Sequence, residues 1–233
     1  MRTIRQQARL AGLLYFLLGI TAPIGLEIVP NALIVSGNAT ATADHLRASG
    51  FLLRIGIASE LFHQVMVIFV VLALFRLFRA ISEALAWQVV ILGALVSVPI
   101  MFVNVLNEIA ALILVGGADY LSVFSKSQLD ALAYLFIRLH GQGINIVEIF
   151  WGLWLFPFGL LVVRSGFIPR IFGYLLMIAG VAYVIDSTVT LLWPQYSRLV
   201  GQYTLIPEIC EVPIIFWLLI WGAKGPQADQ PVA

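Results

Sequence analysis

The chain has 233 residues, of which 61% are hydrophobic and only 11% are charged, and its mean hydropathy is +1.01. Soluble domains are about one-quarter charged, so this composition excludes an ordinary water-soluble protein and predicts an integral membrane protein. The formal net charge of +1 gives no sign of a nucleic-acid partner, and the single cysteine, Cys210, excludes an internal disulfide.

Hydropathy predicts six transmembrane helices, so the chain is expected to be an all-α integral membrane bundle. The predicted spans, in chain order, are residues 10–29, 50–75, 87–115, 132–163, 171–193 and 204–222. We expect one six-helix transmembrane domain over residues 1–224, surrounded by membrane lipids, and a disordered C-terminal tail at 225–233.

The first span has two interpretations. Three arginines precede its apolar run, as in a secretory signal peptide. The run continues past Pro23 to Val29 without a clean small-residue cleavage site, and this length favours an uncleaved span. The segment between residues 30 and 50 is rich in Ala, Thr and Asn and is expected to be an outer loop.

Basic residues between the spans are distributed unequally, which predicts the orientation of the chain. Eight lie at the termini and in the second and fourth connections, whereas three lie in the alternate connections. The eight are Arg2, Arg5, Arg9, Arg76, Arg79, Arg164, Arg170 and Lys224, and the three are Arg47, Lys126 and Arg198. Cytoplasmic segments carry an excess of Lys and Arg, so we expect both termini in the cytoplasm.

Four spans place an acidic residue sixteen positions from a basic residue at the expected cytoplasmic end. The pairs are Glu60 with Arg76, Glu148 with Arg164, Asp186 with Arg170, and Glu208 with Lys224. At ~1.5 Å per residue each carboxylate would lie ~24 Å above the inner flank, within a hydrocarbon layer ~30 Å thick. Ionisable groups at that depth are costly unless they pair or bind a ligand, which predicts a polar site open to the outer side.

The polar residues of each later span share one face of the helix, and acids are in excess among them. The spans contain six acids on these faces and only two basic residues, Arg54 and Arg138. Protons, a cation or water must therefore offset the surplus negative charge. The expected ligand-binding residues are Glu60, His63, Glu148, Asp186, Glu208 and Glu211, with Asn104, Glu108 and Asn145 as second choices. The competing interpretation of any single carboxylate is a protonated group that fixes helix packing.

The most specific form of this prediction is a binding site for a divalent metal ion. Glu60 and His63 form a Glu-x-x-His pair, the spacing that carboxylate metal sites in helical bundles use, and Zn, Mn and Fe are all candidates. One such pair is a weak signal, because a lone histidine on a membrane helix is more often a hydrogen-bonded interior residue.

Haem and nucleotide cofactors are not expected. A bis-histidine haem would need His63 and His140 at one depth, yet they lie thirteen residues from Arg76 and twenty-four residues from Arg164, a difference of ~16 Å along the helices. His140 is instead expected to cap the outer mouth of the site or to meet water. The sequence lacks a Walker phosphate loop, a His-Glu-x-x-His motif and a Gly-x-Ser-x-Gly elbow.

Glycines and prolines suggest interrupted or closely packed helices. Pro207 and Pro213 predict an interruption of the sixth span, and Gly141 and Gly143 predict one in the fourth, either beside a binding site or as plain packing kinks. Arg9, Gly12, Leu14 and Gly19 recur at identical spacing as Arg170, Gly173, Leu175 and Gly180. This echo suits an internal repeat, but close helix packing through glycine explains it equally simply and is favoured.

Several segments resemble a bacterial membrane family catalogued as domain of unknown function 4386. They are RLAGLLYFLLGI, RIGIASELFHQVMVIFVVLALFRLFR, NVLNEIAALIL, IFWGLWLFPFGLLVVRSGFIPRIFGYLLMIAGVAYVIDS and PEICEVPIIFWLLIWG. The resemblance covers almost the whole chain and implies a six- or seven-pass protein of the bacterial inner membrane. It implies no activity and no site residues.

Three classes of function remain. A small ion-coupled carrier fits the surplus acids and interrupted helices. Six spans are few for a carrier, so such a carrier would be expected to form a homo-oligomer. A membrane-embedded metal hydrolase acting on a lipid or hydrophobic substrate fits Glu60, His63 and the carboxylates. A non-enzymatic sensor or assembly partner fits the lack of a complete motif. The sequence favours binding of a cation, protons or a small polar ligand and leaves open whether the protein is an enzyme.

Overall fold

The computed structural model describes residues 3–225, and the regular elements in that range are helices. The helices are α1 (Ile4–Leu33), α2 (Ala39–Ala48), α3 (Gly50–Phe78), α4 (Glu83–Val115), α5 (Lys126–Ser165), α6 (Arg170–Leu192) and α7 (Pro194–Ile220). All but α2 are long and apolar enough to cross a membrane, which confirms the prediction of six transmembrane helices. Residues 226–233 of the predicted tail lie outside the described range.

The helix α2 was not predicted, because its residues are too polar for a hydropathy search. Its start is defined by Asn38, whose side chain accepts a hydrogen bond from the backbone N–H of Ala41 at 3.0 Å. Asn is among the residues that best satisfy the free N–H groups at a helix start. The expected outer loop between residues 30 and 50 therefore contains a helix with a recognisable N-cap.

The helix α5 has 40 residues and begins earlier than the predicted span at 132. Ser125 and Gln128 form a reciprocal cap at its start: the Ser125 N–H donates to Gln128 Oε1 at 2.8 Å, and the Gln128 N–H donates to Ser125 Oγ at 3.3 Å. Hydropathy detects only the apolar part of a helix, whereas the cap marks where its backbone hydrogen bonds begin. At ~1.5 Å per residue α5 is ~60 Å long, about twice the thickness of a hydrocarbon layer.

Three of the long helices are interrupted. Widened π-helical turns occupy Ile24–Ile28 in α1 and Ile91–Val96 in α4. The helix α7 breaks between Ile209 and Val212, which confirms the interruption predicted near Glu208. By contrast, α5 continues through Gly141 and Gly143, so the break predicted there is wrong. A glycine in a helix need not break it when the backbone hydrogen bonds are kept.

The chain divides into two compact units. The larger unit contains the described parts of Met1–Leu18, Val65–Pro99 and Asn145–Ala233, and the smaller unit contains Gly19–Gln64 and Ile100–Ile144. The single domain expected over residues 1–224 stays a prediction, and so does the cytoplasmic position of both termini.

The larger unit has an aromatic core and a close helix pair. Trp154 and Phe158 stack with ring centroids 5.7 Å apart. The helices α5 and α6 meet through glycines: a Cβ on Gly180 would lie 2.7 Å from the carbonyl oxygen of Gly152, and one on Gly173 would lie 2.5 Å from that of Gly159. Such backbone contact is the packing that small residues allow in membranes, and it confirms the packing explanation for these two glycines.

The smaller unit has a separate aliphatic core. Leu46 of α2, Leu53 of α3 and Val105 of α4 are at most 3% exposed in it, and they pack with Ala133 and Ile137 of α5. This core lies in the unit that also holds Glu60, Glu108 and His140.

Candidate functional site

Two carboxylates and an imidazole come together inside the smaller unit. Glu60 of α3, Glu108 of α4 and His140 of α5 are 3%, 2% and 5% exposed. One ligand-capable atom from each lies within 4.8 Å of the others. Each residue comes from a different helix, so tertiary packing rather than local sequence creates the group, which we call the Glu–Glu–His group.

His140 lies between the two acids. Its Nε2 is 3.0 Å from Glu60 Oε2, a hydrogen bond, and 3.8 Å from Glu108 Oε2. Two carboxylate oxygens of the group, Glu60 Oε1 and Glu108 Oε2, are buried without a hydrogen-bond partner among residues 3–225. Buried polar atoms are nearly always hydrogen-bonded, so these two carboxylate oxygens are suited to bind a proton, a water molecule or an ion.

An amide on α4 supports the histidine. Asn104 donates a 2.9 Å hydrogen bond from Nδ2 to the backbone oxygen of His140. Asn107 in turn donates to Asn104 Oδ1 at 3.1 Å, which fixes the orientation of the Asn104 amide. The amide occupies the space above Gly143, where an added Cβ would lie 2.0 Å from Asn104 Oδ1. The second-choice residue Asn104 therefore positions the backbone of His140.

A glycine on α1 approaches Glu60 just as closely. Gly25 lies in the π-helical turn, and a Cβ there would lie 2.5 Å from Glu60 Cγ. A π-turn inserts an extra residue into a helix and often occurs at functional sites. Here the π-turn places Gly25, which has no side chain, against the side chain of Glu60.

A cavity of about 150 Å³ adjoins the group. Glu108 and His140 contribute to its wall, and most of the remaining lining is aliphatic, including Leu33, Leu53 and Ile137. A water molecule takes ~30 Å³ in the liquid, so the cavity has room for a few waters or a small organic group. The two polar residues are therefore accessible from a chamber with apolar walls.

The donor set fits a divalent transition metal. Imidazole and carboxylate together suit Zn, Mn or Fe, and two of the carboxylate oxygens have no other partner. Ligands at ~2.1 Å from a tetrahedral ion lie ~3.4 Å apart, so the group would need to contract by ~1 Å around a metal. Flexible glutamate side chains can supply a movement of that size.

Other predicted site residues belong to the larger unit. Glu211 accepts a hydrogen bond from the hydroxyl of Tyr15, and Asp186 accepts one from Thr204 Oγ1 at 3.1 Å. Glu148 is half-buried, and its Oε2 has no hydrogen-bond partner in the described part of the chain. The backbone oxygen of Asn145 accepts from the Ser187 hydroxyl. Glu208 is half-buried in α7.

The predicted residues are thus divided between the two units, and the single layer that would join them stays a prediction. Glu60, His63, Asn104 and Glu108 belong to the smaller unit, and Glu148, Asn145, Asp186, Glu208 and Glu211 belong to the larger one. His63 is 7% exposed, and its Nδ1 lies 3.4 Å from the Thr21 hydroxyl on α1. The Glu60–His63 metal pair stays a prediction, whereas the atoms gathered within 4.8 Å include His140 in place of His63.

His140 is buried against Glu60 and lines the internal cavity, so it is not exposed on the protein surface. Its expected place at the outer mouth of the site stays a prediction. By counting from Arg76 and Arg164, Glu60 and His140 would differ in depth by ~12 Å, yet their side chains are hydrogen-bonded, so the counts do not measure depth on one common scale. A helical projection would have been a better guide, since Ala133, Ile137 and His140 recur at spacings of four and three on one buried face.

The fold and the site define a class: a multi-pass helical membrane protein with a buried Glu–Glu–His group. The chain belongs to the DUF4386 family, a domain of unknown function whose model matches residues 10–222, which confirms the resemblance noted in the sequence. A curated relative from Archaeoglobus fulgidus, named "Uncharacterized protein", is 37% identical over 81 residues. The match covers 35% of this chain and 47% of the relative, about half the relative's length. No solved structure matches the chain.

Proposed function

We propose that the protein is a metal-binding protein of the membrane, and that Glu60, Glu108 and His140 bind one divalent transition-metal ion. The observation that carries the proposal is the pair of buried, unpartnered carboxylate oxygens beside an imidazole nitrogen. A bound cation would satisfy both oxygens and offset two negative charges that are otherwise expensive in a low-dielectric interior.

Three protein ligands leave a coordination position open. Structural zinc sites use four protein ligands, whereas sites that exchange or activate a small ligand keep one position free. The adjoining cavity, with Glu108 and His140 in its wall, would lead to that position. This arrangement favours a site that exchanges its ligand over one that only stabilises the fold.

Elemental analysis of the purified protein tests the proposal. Protein made without a histidine tag should contain about one Zn, Mn or Fe per chain, and Glu108→Gln or His140→Gln should lose most of it, since removal of one of three ligands leaves a weak site. The matched controls are Glu148→Gln, a half-buried acid of the larger unit, and His63→Gln, a buried histidine that lies against Thr21. Both should retain the metal. Loss in His63→Gln and retention in His140→Gln would instead support the Glu60–His63 pair.

The cellular setting is part of the proposal. The excess of basic residues at the termini and in the second and fourth connections supports an orientation with both ends in the cytoplasm, and the resemblance supports the bacterial inner membrane. If the protein is a carrier, its six spans are few for one chain, and we expect a homo-oligomer. Uptake of the bound metal into sealed vesicles that contain wild-type protein, but not the Glu108→Gln variant, would support the carrier role.

The cavity favours a second candidate, a metal-dependent hydrolase of a small apolar ester or amide. A metal at the group would supply a water molecule of lowered pKa, and the aliphatic walls would accept an apolar substrate. Gly141 lines the cavity, and in the described range no atom beyond its own helix turn lies within 4 Å of an added Cβ, so Gly141→Leu should fill the chamber without removing a ligand. Hydrolysis of a short-chain nitrophenyl ester that Gly141→Leu abolishes while the metal content is unchanged would support this candidate. Absence of hydrolysis by metal-loaded wild type would argue against it.

A further inference from the structure

We propose that a groove on the smaller unit, separate from the Glu–Glu–His group, binds the headgroup and upper acyl chain of an anionic phospholipid. The groove has a volume of about 660 Å³ and lies between two consecutive membrane helices, α3 and α4. Neither Glu60, Glu108 nor His140 lines it.

The groove follows one face of each helix. Arg54, Ile57 and Leu61 on α3 are three and four residues apart. Ile109 and Ile113 on α4 are four apart, and Gly116 follows three residues later, just after the helix ends. Side chains at these spacings share one side of a helix, so the two rows form the walls of a channel along the helix axes. Ile109 and Ile113 are 37% and 46% exposed, which leaves the channel open along its length.

Charge is confined to one end of the channel. Within the described part of the chain, Arg54 is the one charged residue that lines the channel; it is exposed and lies four positions after the start of α3. Among residues 3–225 its guanidinium has no hydrogen-bond or ion-pair partner. The hydroxyl-bearing Tyr120 also lines the groove, in the connection that follows α4. The charged end is therefore the end where the two helices leave the membrane.

These features match the distribution of polarity in a phospholipid. An arginine at a membrane boundary attracts a phosphate, and its positive charge favours a headgroup with a net negative charge over a zwitterionic one. From Arg54 to Leu61 the channel runs ~10 Å along α3, against ~15 Å for one hydrocarbon leaflet. The apolar walls would thus hold the upper part of an acyl chain while Arg54 contacts the phosphate.

Native mass spectrometry of the full chain, released from nanodiscs of equal phosphatidylglycerol and phosphatidylcholine, tests this proposal. Wild type should retain phosphatidylglycerol in preference, and Arg54→Gln should reduce that preference about fivefold, the factor that corresponds to ~1 kcal/mol per basic residue. Arg54→Lys should keep most of it. The matched control is Arg138→Gln, another exposed arginine of the same unit that does not line the groove, and it should behave as wild type.

A second variant tests the apolar channel independently of the charge of Arg54. Ala58 is exposed in the channel wall, so Ala58→Phe should obstruct the acyl chain and lower lipid retention while Arg54 remains. Equal retention of the two lipids by wild type, or an unchanged preference in Arg54→Gln, would overturn the proposal. A change in the dimer fraction rather than in lipid load would also overturn it, because the groove would then belong to a second copy of the chain.

Discussion

Asn104 supports the Glu–Glu–His group through the backbone of His140. Its amide donates to the backbone oxygen of His140 and lies against the bare Cα of Gly143. Gly141 lies on α5 like Gly143, but an added Cβ there would meet no atom of residues 3–225 within 4 Å beyond its own helix turn. Two glycines that are two residues apart in α5 therefore have different roles: one provides space for the amide, and the other does not.

Substitution of each glycine by alanine separates these roles. Both changes improve helix propensity by up to ~1 kcal/mol, so the difference between the variants isolates the contact with Asn104. We expect Gly143→Ala to be less stable than Gly141→Ala by ~1–3 kcal/mol, because the displaced amide loses a buried hydrogen bond. Thermal unfolding in detergent provides the comparison. Equal unfolding midpoints would contradict the supporting role of Asn104.

The affinity of the Glu–Glu–His group for a metal should also depend on the contact between Asn104 and His140. Asn104→Ala removes the hydrogen bond to His140 but keeps all three candidate ligands. Loss of an outer-shell partner typically lowers metal affinity ~10–100-fold, and we expect a decrease in that range. Competition with a chelator of known affinity measures it. An affinity within twofold of wild type would show that Asn104 serves packing alone.

Between elements, the contact of α5 with α6 depends on backbone proximity. Gly173 and Gly180 each place Cα where an added methyl group would meet a backbone oxygen of the opposite helix, at 2.5 and 2.7 Å. Backbone atoms cannot rotate away as a side chain can, so the helices must separate to admit a methyl group. Gly180→Ala should therefore destabilise the protein by ~1–3 kcal/mol. Gly19→Ala is the control, because among residues 3–225 no atom beyond the local turn of its own helix lies within 4 Å of an added Cβ. It should unfold at the wild-type temperature or slightly above.

The connection helix α2 is attached to α5 by a network of charges. Arg47 contacts both Asp44 and Asp130, and Lys126 Nζ lies 3.0 Å from Asp44 Oδ1 and 2.9 Å from Asp130 Oδ2. The Asp130 side chain is only 2% exposed, whereas that of Asp44 is 54% exposed. Asp130→Ala should lower stability by ~1–3 kcal/mol, since it leaves Arg47 partly buried without its main partner. Unfolding should be followed at low and high salt, because salt screens the exposed contacts much more than the buried one.

Asp44 gives this network a dependence on pH. The hydrogen bond from Lys126 lowers the pKa of Asp44 below its ordinary value. The folded carboxylate therefore binds its proton less tightly than the unfolded one, so its contribution to stability is present above the ordinary Asp pKa of ~3.9 and is lost as pH falls through the lowered pKa. Asp44→Asn should accordingly flatten the decline in unfolding temperature below about pH 4. An identical acid profile in wild type and variant would contradict this role.

At the scale of the whole molecule, composition and hydropathy were enough for the six spans, because a membrane imposes ~20 apolar residues on each helix. Glu60 and Glu108 could be predicted as site residues, since a carboxylate inside an apolar helix is conspicuous in sequence. Their partner His140 could not be chosen by counting from Arg164, because equal residue counts mean equal depth only for helices with the same tilt and level ends, and hydropathy predicts neither. The N-caps at Asn38 and Ser125 carried the missing information on where helices begin.

Orientation is the whole-molecule property that the distribution of basic residues predicts and a reagent can test directly. In a Cys210→Ser background, Ser122→Cys in the third connection should react with a membrane-impermeant maleimide on intact cells, because that connection is expected outside. Glu83→Cys, at the first residue of α4 next to the second connection, should react only after the cells are permeabilised. Both positions are exposed, so a lack of reaction would reflect the membrane barrier rather than burial. The reverse labelling pattern would place the termini outside and invert the sidedness of every connection, with the fold and the Glu–Glu–His group unchanged.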